Sequence, residues 1–214
     1  MRTFSENKNL VSERREHVRK CATALFVKKP FEKASTQEIL QATGMSKGGL
    51  YYYVGSKKDI RSLILDHAAK AHIETHRSLL QATERLSASD ALREAIRVLC
   101  RWMNDYQDEI IVIVHEVGNL SKEEREPQLR SETMNVALVE NLIRKGITSG
   151  EFKTDDPKIA AHTIYLGIHA WAERRWYLRK FYTLEQYIDS LSEFAISSLW
   201  KSNSPKKILA NAAS

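Results

Sequence analysis

Cysteine is nearly absent from this 214-residue chain, which has only Cys21 and Cys100. They stand far apart and lack the spacing of metal ligands, so no disulfide framework is expected, and a reducing cytoplasm is the natural setting. Prolines number four and glycines eight, most of them at segment boundaries. Period-two strand patterns are nearly missing. No uninterrupted apolar run approaches the roughly 18 residues of a membrane span, and none follows the charged start as in a secretory signal. No G-x-S-x-G nucleophile elbow, phosphate-binding loop or dinucleotide fingerprint is expected, since the Gly48-Gly49 pair lacks the spacing and a preceding strand. His72 and His76 lie one helical turn apart, but no third ligand is evident nearby. The expectation is a soluble, non-exported chain with no catalytic site, no metal and no cofactor.

What is present is unevenly charged. Residues 1–60 carry 12 Lys/Arg against 6 Asp/Glu, whereas residues 61–214 carry 21 of each. All of the net charge of +6 therefore lies in the first 60 residues. A basic amino-terminal segment on a neutral body implies a polyanion as partner of the former and something else for the latter.

Residues 35–59 explain the polyanion. Ser35 followed by Glu38 is a capping box, and Ile39, Leu40 and Ala42 give the helix behind it an inward face. Thr43-Gly44 ends that helix, because glycine accepts the left-handed conformation of a sharp stop. Ser46 caps a second short helix to about Tyr52 or Tyr53. Gly48 and Gly49 inside it each cost about 0.8–1 kcal/mol relative to alanine. Such a local violation points to function, here a backbone left bare for close approach to a large surface. Three consecutive tyrosines cannot all be buried on one face of so short a helix. Ser56 with Asp59 caps a longer helix whose first turn holds Lys57 and Lys58, cations at the wrong end of a helix dipole unless a phosphate sits there.

Helical periodicity continues along the chain. Val18, Ala22, Leu25 and Phe26 place a first helix over residues 12–28, ending before Pro30. After the two short helices, one should span 56–80 and another 88–106, the latter with Leu92, Ala95, Ile96, Leu99 and Trp102 or Met103 on one face. The β-branched run at 110–114 favours a strand locally, but its helical surroundings argue for a buried helix. Residues 118–126 read as a polar connection, with Pro127 in the first turn of a helix to about Ser149. Asp156-Pro157 starts a helix to about Lys180, and Thr183 with Gln186 caps a last one to about Trp200. The expected fold is all-α: about nine helices, a three-helix helix-turn-helix domain over 8–58, a larger helical domain over 59–202, and a disordered tail over 203–214.

Residues 12–60 resemble the DNA-binding domain of the TetR family of bacterial transcriptional regulators. Thr36, Ile39, Ala42, Gly44, Ser46, Gly48, Leu50, Tyr51, Ser56 and Lys57 match the family pattern at fixed spacing. Pro30 and Val54 depart from it, where glycine and phenylalanine are common. The resemblance implies that Lys47, Gly48, Gly49, Tyr51 and Tyr52 approach base edges or nearby backbone in the major groove. Thr36, Tyr53 and Lys57 would hold phosphates, with Ser46 at the same surface and Leu50 in the core. It also implies a dimer on a near-palindromic double-stranded operator.

By the same resemblance, the last two long helices should pair into the homodimer interface. His162, Tyr165, Leu166, His169, Trp171 and Trp176 lie in the first, and Tyr187, Leu191, Phe194 and Leu199 in the second. Packing within one chain is the competing reading. The strings at 115–130, 146–152 and 171–177 resemble regulators of fatty-acid, steroid and aromatic-acid breakdown that sense acyl-CoA thioesters. Trp102, Tyr106, Ile113 and Trp171 could then line an acyl slot, with Glu116 nearby and Arg174 and Arg175 meeting the phosphates. Alternatively, Glu116 and the arginines form interhelical ion pairs and the tryptophans are core.

The resulting expectation is a cytoplasmic, homodimeric repressor released by a small-molecule effector. Three rivals stand beside it. A sensor of hydrophobic drugs would share the fold, a helical enzyme would use His115 and Glu116 in a cleft, and an architectural protein would bind DNA with little sequence preference.

Overall fold

The computed structural model describes residues 4–200, and every element among them is helical. In chain order the α-helices are α1 (Phe4–Lys28), α2 (Thr36–Thr43), α3 (Lys47–Val54), α4 (Lys57–Thr83), α5 (Ala88–Asp105), α6 (Gln107–Glu116), α7 (Lys122–Ser149), α8 (Pro157–Glu173), α9 (Arg175–Leu178) and α10 (Leu184–Leu199), with short 3-10 turns at Phe31–Lys33 and Val117–Asn119. The tail expected over 203–214 lies outside the described residues.

Short polar side chains set most of the starts. Ser35, Ser121 and Thr183 form reciprocal capping boxes with Glu38, Glu124 and Gln186. Ser46, Ser56 and Ser87 each accept the backbone N–H three residues on, and Asp156 accepts two, with Pro157 already preset for the first turn. Gly44 and Gly150 end α2 and α7 in the left-handed conformation, at φ 65° and 81°.

Three boundaries and one inward position differ from the sequence reading. Helix α1 begins at Phe4 rather than near residue 12. Residues 122–126 are helical, not a connection, because the Ser121–Glu124 box starts α7 before Pro127, which sits inside the helix. The expected helix over 157–180 breaks at Arg174 into α8 and α9, bringing the number among the described residues to ten. Ala42 is exposed, and Thr43 takes the inward place, one turn after Ile39, with its hydroxyl on the Ile39 carbonyl at 2.8 Å.

The buried apolar side chains fall into two clusters. Val18, Phe26, Phe31, Ile39, Leu50 and Ile60 centre the first, among α1 to α4. Leu92, Ile96, Leu99, Ile143, Ile168 and Ile196 centre the second, among α5, α7, α8 and α10. Two helices belong to both. Helix α4 gives Ile60 and Ile64 to the first cluster and Leu79 to the second, and α6 gives Val112 and Ile110 respectively. Neither element can shift without disturbing packing on both sides, since interiors are close-packed.

Candidate nucleic-acid interface and internal cavity

Helices α2 and α3 meet across Gly44-Met45-Ser46, and Leu50 and Val54 anchor α3 from below. With that face buried, the opposite one is presented. Lys47 and Gly48 are exposed, and Tyr52 is 74% exposed with its ring edge-on to Tyr53. A Cβ built on Gly48 would meet nothing within 4 Å, so no neighbour within the chain demands glycine there. Gly49 is tighter, with Ser46 Oγ 3.2 Å from such a Cβ. That oxygen accepts the Gly49 N–H at 3.1 Å, so Ser46 is occupied as the cap of α3. Tyr51 is half-buried, its hydroxyl 3.3 Å from that of Thr36, which ties the two helices together.

Gly44-Met45-Ser46-Lys47-Gly48 does spell the G-x-S-x-G of a nucleophile elbow, contrary to the expectation that none occurs. An elbow needs a strand before the serine. Here a helix precedes it, and the hydroxyl is spent on capping.

Lys57 is half-buried and already engaged. Its Nζ donates to the Phe31 carbonyl at 2.7 Å and lies 4.3 Å from the centre of the Phe31 ring. Lys58, which the resemblance did not single out, is the exposed cation of that turn. Its place in the turn behind the Ser56 cap is the signal that marked it in the sequence.

The seven residues expected at a ligand site separate in space. Trp102 and Ile113 line a cavity of about 110 Å³ between α4, α5, α6, α7 and α8. Tyr106 stacks on Trp102 at 5.5 Å between ring centres. Trp171 is buried, and its Nε1 donates to Asn104 at 3.1 Å. Arg174 and Arg175 lie on a separate surface groove with His115, and Arg175 pairs with Asp108 at 2.5 Å. Val114 borders both the cavity and the groove.

Glu116 points the other way. It is 1% exposed, and its Oε1 accepts the backbone N–H of Phe31 at 3.1 Å while Oε2 has no partner. The end of α6 thus holds the turn that leads into α2. The buried ion pair of Glu109 with Arg19 ties α6 to α1 as well. Of the interhelical ion pairs weighed from sequence, Arg175 forms one with Asp108, whereas Glu116 holds a backbone N–H instead of a cation.

The cavity also takes residues that the sequence reading placed elsewhere, His72 beside His76 and Tyr165 and His169 at the dimer face, and one that it did not single out, Asn135. His72, Asn135, Tyr165 and His169 form its polar wall, coming from α4, α7 and α8. Asn135 Nδ2 donates to the Tyr165 hydroxyl at 3.0 Å, which lies 3.0 Å from His169 Nε2, and His169 Nδ1 faces Glu173 at 3.3 Å. Burial lowers the pKa of His169 against the pull of Glu173, and lowers that of His72 against the nearby Asn135. Both imidazoles are therefore neutral near pH 7. Among the described residues no three His, Cys, Asp or Glu side chains converge as a metal site. No helix among them is long and apolar enough to cross a membrane.

Comparison with known proteins separates the same two parts. Residues 19–62 match the family described as bacterial regulatory proteins, tetR family, and residues 85–197 match the tetracyclin repressor-like C-terminal domain. The chain is 24% identical over 181 residues to the HTH-type transcriptional regulator HbdR of Aromatoleum sp. (strain CIB), covering 84% of this chain and 78% of HbdR. The fold is that of the ketosteroid transcriptional regulator KstR2 of Mycobacterium tuberculosis, with a TM-score of 0.78 at 16% identity over 88% of this chain and 96% of that one. It is also that of AibR in complex with isovaleryl coenzyme A and operator DNA, with a TM-score of 0.71 at 22% identity over 85% and 97% of the two chains.

Proposed function

Since the chain belongs to the tetR family of bacterial transcriptional regulators, we propose that it is a repressor, binding a near-palindromic operator as a homodimer and released by a small molecule that enters the cavity. The observation that carries this reading is a connection. Helix α6 supplies Ile110 and Ile113 to the cavity and, three residues on from Ile113, the Glu116 carboxylate that holds Phe31 at the entrance to α2. A ligand that moves α6 moves the reading head, which is the coupling of two distinct sites that an effector needs.

In this reading Lys47, Tyr52 and the bare backbone at Gly48 and Gly49 face the major groove, with Thr36, Ser46, Tyr51 and Tyr53 shaping that surface and Lys58 joining Lys57 on phosphates. Ile159, Leu166 and Phe194, all exposed on α8 and α10, form the dimer face together with His162. Tyr165, Trp171 and Leu199 pack within the chain instead and leave that role.

The effector proposed is an acyl-CoA thioester or a molecule of like shape. At about 110 Å³ the cavity admits a short chain or a single ring, not a whole coenzyme. The coenzyme end would lie outside, over the groove holding Arg174 and Arg175, which Val114 joins to the cavity. AibR was solved with isovaleryl coenzyme A and operator DNA, which supports the class.

The test is fluorescence anisotropy with fragments of the chain's own upstream region against random competitor, with and without short-chain acyl-CoA thioesters, and light scattering for the oligomer. Selective binding by a dimer, weakened by a thioester, is the expected result. Equal affinity for every fragment would return the architectural reading.

A further inference from the structure

The polar wall of the cavity contains more information than its size. A carboxylate such as that of Glu173 accepts, so His169 carries its proton on Nδ1 and leaves Nε2 bare. The Tyr165 hydroxyl, which burial keeps protonated, then donates to Nε2. Having spent its one proton, that hydroxyl can only accept from Asn135, which fixes the carboxamide with Nδ2 toward Tyr165. Asn135 Oδ1 is left over. It is buried, in a residue 1% exposed, and has no hydrogen-bond partner.

His72 stands in the same wall, 2% exposed and beside Asn135, yet neither ring nitrogen reaches hydrogen-bond geometry with it or with any other group. As a neutral imidazole it offers one donor and one acceptor. Trp102 Nε1 adds an unpartnered donor. Buried polar atoms without partners are uncommon and call for an explanation. Here three residues that line one cavity, from α4, α5 and α7, share the defect. No lysine or arginine lines this space, and its one acidic residue is Glu132.

We propose that the cavity recognises the uncharged, hydrogen-donating end of an otherwise apolar effector, a hydroxyl or a primary amide, and rejects a carboxylate. Such a group donates to Asn135 Oδ1 and accepts from His72 or Trp102, so that it pairs the orphaned atoms in both directions. A carboxylate can only accept. It would leave Oδ1 facing a negative charge, with no cation to offset its desolvation. The inference rests on the cavity being the effector site. If an acyl thioester is the effector, its far end meets this wall and bears the hydroxyl.

The experiment uses the full chain at pH 7.5 and four probes of equal length: hexan-1-ol, hexanamide, 1-methoxypentane and hexanoate. Dissociation constants come from tryptophan fluorescence, with melting temperature as a second reading. The alcohol and the amide should bind about tenfold more tightly than the ether and the carboxylate, the factor that one unpaired buried polar group commands. Asn135→Leu should bring alcohol and ether to within about twofold of each other, and His72→Phe should weaken the alcohol while preserving operator affinity. Hexanoate or the ether binding as well as hexan-1-ol overturns the inference yet leaves the cavity as the effector site. No binding by any probe, with operator binding intact, overturns both. The wild-type series decides the matter even if a variant fails to fold.

Discussion

Glu116 Oε1 holds the backbone N–H of Phe31 across 3.1 Å, joining the last turn of α6 to the short 3-10 turn between α1 and α2. Phe31 is in turn gripped from the far side, its carbonyl by Lys57 and its ring by Lys57 and by Arg61 at 4.5 Å. One residue thus connects the cavity helix, the entrance to the two short helices and the start of α4.

Replacing Glu116 with alanine strands a buried N–H, at a cost of about 1–3 kcal/mol in stability. Glutamine keeps a carbonyl acceptor in the same place and should recover most of that. Urea unfolding separates the two. In the coupled reading, Glu116→Ala also leaves operator binding largely insensitive to effector, whereas equal release in the wild type and the variant would remove this contact from the transmission path.

Gly48 tests whether the bare backbone serves a partner. A Cβ there meets nothing within 4 Å, and alanine is favoured over glycine in a helix, by about 0.8–1 kcal/mol in an interior and by less in a first turn such as this. Gly48→Ala should therefore raise the melting temperature of the free chain. If DNA approaches the backbone, the same substitution lowers operator affinity. Unchanged affinity with raised stability would mean that the glycine has no role in contact.

Lys57 and Lys58 divide structure from charge. Lys58 is exposed, so Lys58→Ala should leave the melting temperature unchanged while reducing the slope of log affinity against log salt by about one per subunit. Lys57→Ala removes the bond to Phe31 and should lower the melting temperature as well. An unaltered salt slope in Lys58→Ala would remove that residue from the phosphate contacts.

The sequence announced what short-range physics controls. Ser35, Glu38, Gly44 and Ser46 specify two helices and their turn through bonds made within a few residues, and the fold class followed from periodicity. The cavity was barely legible. Asn135, Tyr165 and His169 look like ordinary residues of amphipathic helices, and only the packing of α7 against α8 brings them together. Trp171 and Glu116 attracted notice for their chemistry, but which way each points depends on partners 67 and 85 residues away. Gly146 was unreadable for the same reason. A Cβ there would lie 2.0 Å from the Phe152 ring, a constraint set by the chain folding back after α7.

Acid should weaken the fold through two glutamates whose pKa falls from 4.5 to about 2. Glu38 is held down by Lys29 and then by the Ser35 N–H and hydroxyl. Glu151 is held down by the N–H groups of Ser89 and Ala88, at the start of α5. A depressed carboxylate stabilises the folded state above its unfolded value, and that contribution drains away as pH falls through the folded one. Between pH 4.5 and about 2 the wild type should therefore lose stability steadily. Both sites are open to water, so salt should reduce the Lys29 part more than the backbone part. Glu151→Gln keeps an acceptor for α5 but cannot titrate, and its stability curve across this window should be flatter than that of the wild type. A parallel curve would mean that Glu151 adds nothing to the acid response.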